Sequence, residues 1–178
     1  MQDQEAHGIC DLWYLDVSGF CLTPYIPYAW QPIGSVIAIP TSTHGRRLNV
    51  LGFLNRHNEL YPYVIEGKVD TSVIVEAFDQ FSKQINKRTS VFLDNSPLHR
   101  SQEFICHRAQ WVKRGLIIKY LPPYSPELNL IEILWRFVKY HWLPFYAYLS
   151  FPSLVQAVED ILTRFGTDYT INFQTARV

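Results

Sequence analysis

The chain has 178 residues, 48% of them apolar and 15% aromatic, and its 16 basic residues balance 16 acidic ones. That length supports one domain with a sizeable core, and the composition excludes a disordered chain or a coiled coil. Zero net charge excludes a global field that draws the chain to nucleic acid, and so argues against a stand-alone DNA-binding module.

In chain order, Leu12 to Leu22 (LWYLDVSGFCL), Ser35 to Pro40 (SVIAIP) and Leu48 to Asn55 (LNVLGFLN) are apolar runs separated by turn residues. They are predicted strands, antiparallel because the separations are short. From Ser72 to Asn86 the pattern changes. Ile74, Phe78, Phe81 and Ile85 recur at helical spacing and predict an amphipathic helix. A strand follows at VFLD (Val91–Asp94), then a helix over Ser101 to Arg114 closed by Gly115 in the C′ manner. Leu116 to Leu121 is the next strand. Ser125 is the expected N-cap of a helix with Pro126 at its first position, carrying Leu128, Ile131, Trp135, Val138 and Trp142 on its apolar stripe. A last helix uses Leu154, Val158, Ile161 and Phe165. The order β-β-β-α-β-α-β-α-α implies an α/β fold, a mixed central sheet with helices on its faces.

No apolar run approaches the roughly 18 residues of a membrane helix. The polar start MQDQEAHGIC has neither region of a signal peptide, so the expectation is a cytoplasmic protein without a membrane partner. Cys10, Cys21 and Cys106 are scattered, which suits reduced thiols.

Three carboxylates interrupt apolar runs: Asp16 inside LWYLDVSGF, Asp94 at the end of VFLD, and Glu132 inside LNLIEILW. Glu132 lies one turn from Leu128 and Trp135 and shares a helix face with Asn129 and Arg136. At any single site a salt bridge or a capped turn suffices, such as Glu132 with Arg136, or Asp94 with the amides after it. Three such acids together favour a shared divalent cation, because each carries its own desolvation cost and hard Mg²⁺ prefers carboxylate oxygen.

The strings VFLDNSPLHRS and LPPYSPELNLIEILW, with LWYLDVSGF upstream, resemble the catalytic core of mariner-like DDE transposases, in their bacterial insertion-sequence branch. AWQPIG and NVLGFL also match positions of that pattern, and Trp30, Gly34 and Trp135 are expected to serve packing and turns. The resemblance implies a ribonuclease H-like fold with about five strands, the first three antiparallel. It implies a catalytic, metal-binding triad of Asp16, Asp94 and Glu132 holding two Mg²⁺ or Mn²⁺ ions. The implied reaction is phosphodiester hydrolysis at transposon ends followed by strand transfer into target DNA. Asn95, His99 and Asn129 fall at supporting positions, His99 either touching phosphate or orienting the site, and Asn129 holding a metal water or backbone. Lys113, Arg114, Lys119, Arg136 and Lys139 are candidate DNA contacts.

The implied organisation is an N-terminal tail over residues 1–9 and a catalytic domain over 10–178. The family's helix-turn-helix region has no room before Leu12, so a separate or missing DNA-binding region is expected, with DNA as partner and a homodimer in the DNA complex. Two departures are visible. Val17 stands where a second acid is common, and Leu130 where proline is common. The alternatives are a nuclease without strand transfer, and an inactive domain kept for dimerisation or DNA scaffolding.

Overall fold

The structure is a computed structural model that describes residues 5–23, 33–34, 45–123 and 125–173. Its central strand, β1 (Asp11–Phe20), alternates two sets of side chains. Trp13 and Leu15 point to one side and Tyr14 and Phe20 to the other, as the twofold period of a strand requires. β2 (Leu48–Leu54) pairs antiparallel with β1, and β3 (Leu60–Glu66) antiparallel with β2. β4 (Thr89–Leu93) pairs parallel with β1 on its other side, and β5 (Leu116–Tyr120) parallel with β4. The sheet order is β3-β2-β1-β4-β5.

Helices cover both faces. α1 (Thr71–Gln84) and α2 (Gln102–Lys113) bury Phe78, Phe81, Phe104 and Trp111 against Trp13, Leu15, Phe53 and Leu93. On the opposite face α3 (Leu130–Phe137) and α4 (Phe151–Thr163) bury Ile131, Trp135, Leu154 and Val158 against Tyr14, Phe20 and Val50. Gly115 adopts φ +91° after α2, the left-handed stop expected of it.

The expected mixed sheet with three antiparallel strands is found, with one strand exchanged. β3 carries Pro62, which reads as a break. At the sheet edge the missing N–H faces no neighbour, so proline is tolerated there. The Ser35–Pro40 strand and Trp30 lie outside the described residues. The helix expected from Ser125 begins later. Pro126–Leu128 forms a 3-10 turn in which the Leu128 amide donates to the Ser125 carbonyl at 3.1 Å. Asn129 is then extended (φ −90°, ψ 98°), which separates that turn from α3. Leu128 is consequently exposed, and the apolar stripe starts at Leu130 and Ile131.

Candidate active site

Strand register brings two of the acids side by side. Tyr14 of β1 is opposite Phe92 of β4, and two residues further along each chain stand Asp16 and Asp94, just where β4 ends. Tyr14 and Phe92 pack on the α3 side of the sheet, so strand alternation turns both acids the same way. Val17 packs on the other face, which is why a hydrophobe is accommodated beside Asp16.

On its other edge Asp16 pairs with Gly52 of β2. A Cβ at Gly52 would come within 3.0 Å of Ile131 Cδ1 and 3.2 Å of Trp135 Cη2. The glycine thus lets α3 lie close against the sheet, and Glu132, next to Ile131, approaches Asp16 as a result. A second tie is made by Asn129, the N-cap residue of α3. Caps on the other long helices follow the usual rule: Asp70, Ser101 and Ser150 accept from the amides of Val73, Phe104 and Ser153. Asn129 makes no such bond. Its Nδ2 instead donates to the carbonyl of Leu15 at 3.2 Å, anchoring α3 to the residue before Asp16.

The acids differ electrically. Burial pushes the Asp16 carboxyl up to about 8, and the neighbouring Glu132 and, more weakly, Asp94 add to the rise. The Val17 amide and the Trp135 indole work in the opposite direction, although the indole N–H is buried without a well-formed hydrogen bond. Asp94 is held below the usual carboxylate range, chiefly by the His99 hydrogen bond and then by the Ser96 amide, against a partial burial penalty. His99 Nδ1 lies 2.8 Å from Asp94 Oδ1, and an ionised Asp94 requires that nitrogen to donate. The ring is buried, with Nε2 unpartnered, and it is hydrogen-bonded to Asp94.

Asp16, Asp94 and Glu132 line one cleft of about 390 Å³, with Asn95 and Asn129 beside them. An adjoining cavity of about 590 Å³ shares Asp16 and Asp94 and is bounded by Arg47 and Lys68. Among the described residues no ion pair reaches Asp16 or Glu132, and the expected alternative of Glu132 with Arg136 is not formed. With Asp94 turned to His99, no three His, Cys, Asp or Glu side chains among the described residues are gathered closely enough to grip an ion. The chemistry of the donors nonetheless fits a hard divalent cation: carboxylate oxygens only, one of them buried where its charge is disfavoured.

The five candidate DNA contacts do not form one surface. Lys113 and Arg114 sit at the start of β5, the opposite end of that strand from Asp94. Arg114 is engaged with Asp79 at 2.5 Å and Ser82 at 2.7 Å, joining α1 to α2. Lys119 is exposed on the edge strand. Lys139 lies by the acids: burial lowers its pKa, while Glu132 and Asp16 pull the other way. Arg47 was not anticipated. Its guanidinium fills the space that a side chain at Gly19 would take, and a basic residue before a strand carries no distinguishing signal. Gly52 did carry one, since a lone glycine inside an apolar strand marks a close approach.

A mixed five-stranded sheet flanked by helices, with acids near the ends of its central strands, is a ribonuclease H-like fold. Residues 11–154 match the DDE superfamily endonuclease family, and the chain belongs to it. The Mos1 mariner paired end complex with Mn is similar at a TM-score of 0.66 and 13% identity, over 92% of this chain and 50% of that one. The Mos1 strand transfer complex is similar at 0.64 and 11%, over 93% and 52%. The Mos1 catalytic domain alone gives 0.57 and 11%, over 97% and 78%. The chain therefore spans about half the length of the chains it matches in the two Mos1 complexes. No curated protein matches the sequence.

Proposed function

We propose that the chain is the catalytic domain of a DNA transposase, with Asp16, Asp94 and Glu132 as the ligands of two Mg²⁺ or Mn²⁺ ions. The reaction is phosphodiester hydrolysis at transposon ends, followed by strand transfer into target DNA. The observation that carries this reading is Asp16, a carboxylate held beside Glu132 and Asp94 with no cation in ion-pair reach among the described residues. A bound ion supplies charge neutralisation and Lewis-acid polarisation at the phosphodiester.

The chain's own residues do the positioning. His99 keeps Asp94 ionised and fixes its rotation. Asn129 and Gly52 hold α3, and with it Glu132, against β1. Lys139, electrostatically coupled to Glu132 and Asp16, meets the phosphate entering the cleft. In the proposed organisation residues 10–178 form the catalytic domain behind a tail over 1–9. DNA and a second copy of the chain are the proposed partners, and the cytoplasm the proposed location. No helix among the described residues is long and apolar enough to cross a membrane.

The test is a nicking and end-joining assay in Mn²⁺, with the DNA-binding region supplied in trans. Asp94→Asn is expected to lose at least about 1,000-fold in rate, on the scale of several kcal/mol of transition-state stabilisation. Equal cutting by Asp94→Asn and the wild type, or no Mn²⁺-dependent cutting by either, overturns the reading. Nicking without joining would reduce it to a nuclease.

A further inference from the structure

Two arginines beside the cleft converge on one ring without a counter-charge. Arg100 ends the 3-10 turn Pro97–Arg100, and its guanidinium carbon lies 5.5 Å from the centroid of Tyr120. Arg108, in the middle of α2, lies 5.8 Å from the same centroid. Several other cations do meet carboxylates: Lys83 and Arg114 meet Asp79, Lys87 meets Asp11, and Arg164 meets Asp160 and Asp168. Among the described residues no ion pair reaches Arg100 or Arg108. The Tyr120 π-face holds both, but an aromatic ring does not cancel their mutual repulsion. A bound anion does.

The pair is tied to the acidic cleft. The Tyr120 hydroxyl donates to the His99 carbonyl at 2.7 Å, so the ring is fixed to the residue that orients Asp94. Arg100 donates to Asn95 Oδ1, while Asn95 Nδ2 donates to the Leu121 carbonyl at 2.7 Å. Asn95 lines the cleft next to Asp94. A cleft lined by three acids repels a polyanion, and a chain of zero net charge has no overall field to offset that repulsion. Unpaired cations at the cleft's edge supply the attraction locally. Guanidinium forks also match phosphate oxygens in geometry.

We propose that Arg100 and Arg108, held on Tyr120, form a phosphate clamp on the DNA strand that runs from the acidic cleft over the β5 edge. The clamp rests on reading that cleft as a DNA-processing site. It differs from Lys139, which lies among the acids, and from Lys113 and Arg114 at the far end of β5.

The test is fluorescence anisotropy of the full chain with a labelled mixed-sequence DNA duplex in EDTA across a salt series, beside Mn²⁺-dependent nicking by the same proteins. Arg100→Gln/Arg108→Gln is expected to weaken binding by about tenfold or more. It should also reduce the slope of log affinity against log salt by about 2, one for each lost phosphate contact. Arg108→Gln alone is expected to reduce the slope by about 1. Among the contacts described its guanidinium touches only Tyr120, so this variant decides the matter if the double variant melts early. Lys113→Gln is expected to change affinity less than about twofold, as for a residue outside the clamp. Equal affinity and equal salt slope in the wild type and Arg108→Gln overturn the clamp, whether binding is tight or weak. A wild type that binds through the arginines but never nicks in Mn²⁺ upholds the clamp and refutes the catalytic reading.

Discussion

Asp79 and Asp16 are both carboxylates at packed junctions, one on each side of the sheet. Asp79 of α1 meets Lys83 at 2.7 Å and Arg114 at 2.5 Å, and these hydrogen bonds hold its pKa below the usual range. Asp16 of β1 meets a glycine, an indole and two further acids, and its carboxyl rises to about 8. The α1–α2 side uses a carboxylate to join two helices. The α3 side keeps one that no ion pair reaches among the described residues, and that is the arrangement a cation completes.

The contrast is sharpest in Asp16→Asn. Cleavage should fall by at least about 1,000-fold, since a ligand is lost. The metal-free protein should meanwhile become more stable at pH 8. Wild-type Asp16 is protonated in the folded state up to about 8 but only to about 3.9 when unfolded. Folding therefore binds a proton across that window, and wild-type stability falls as pH rises through it. Asparagine removes the slope. Thermal melts in EDTA at pH 6 and pH 8 should show an upward shift of at least roughly 3 °C at pH 8; an unchanged or lower melting point would mean that Asp16 carries no desolvation penalty.

A smaller effect is expected where α3 meets the sheet. Gly52→Val places methyl groups where Ile131 and Trp135 already sit, costing about 1–3 kcal/mol by overpacking. Displacing Glu132 should also slow cleavage by roughly 10–100-fold. Adding Ile131→Ala should recover part of both losses. Full cleavage by Gly52→Val would show that the tight seam does not set the position of Glu132.

Asn129→Ala and Ser150→Ala compare two N-cap residues used differently. Each should lose about 1 kcal/mol in chemical denaturation. Only Asn129→Ala should also reduce cleavage, because its amide holds the Leu15 carbonyl beside Asp16, whereas Ser150 caps α4. Equal activity losses would erase that distinction. The smallest effect belongs to Asp79→Asn. The depressed Asp79 pKa stabilises the fold above the unfolded value and is lost as pH falls through the folded one. The variant should be less stable at pH 6, and the difference should shrink as pH falls below the unfolded value of about 3.9.

The acids were legible because a carboxylate inside an apolar run is a local contradiction, visible at Asp16 and Asp94 without knowledge of their neighbours. The alternation that sends Asp16 and Val17 to opposite faces was legible for the same reason. β3 was hidden by Pro62, whose cost depends on whether the strand lies at an edge, a fact of topology. Asn129 reaches Leu15 across most of the chain, and no spacing rule predicts such a partner. Lys113 and Arg114 precede β5, whereas the cleft lies at strand ends, and sequence position does not tell one end of a sheet from the other. Arg100 and Arg108 stand apart in sequence and meet only on Tyr120.

The central claim, that Asp16, Asp94 and Glu132 share a cation, is tested most directly by Mn²⁺-soaked crystals and anomalous diffraction. The account predicts anomalous density in the cleft with carboxylate oxygens of Asp16, Asp94 and Glu132 as ligands. Mn²⁺ bound only elsewhere, with Asp16 satisfied by a basic side chain, would contradict it.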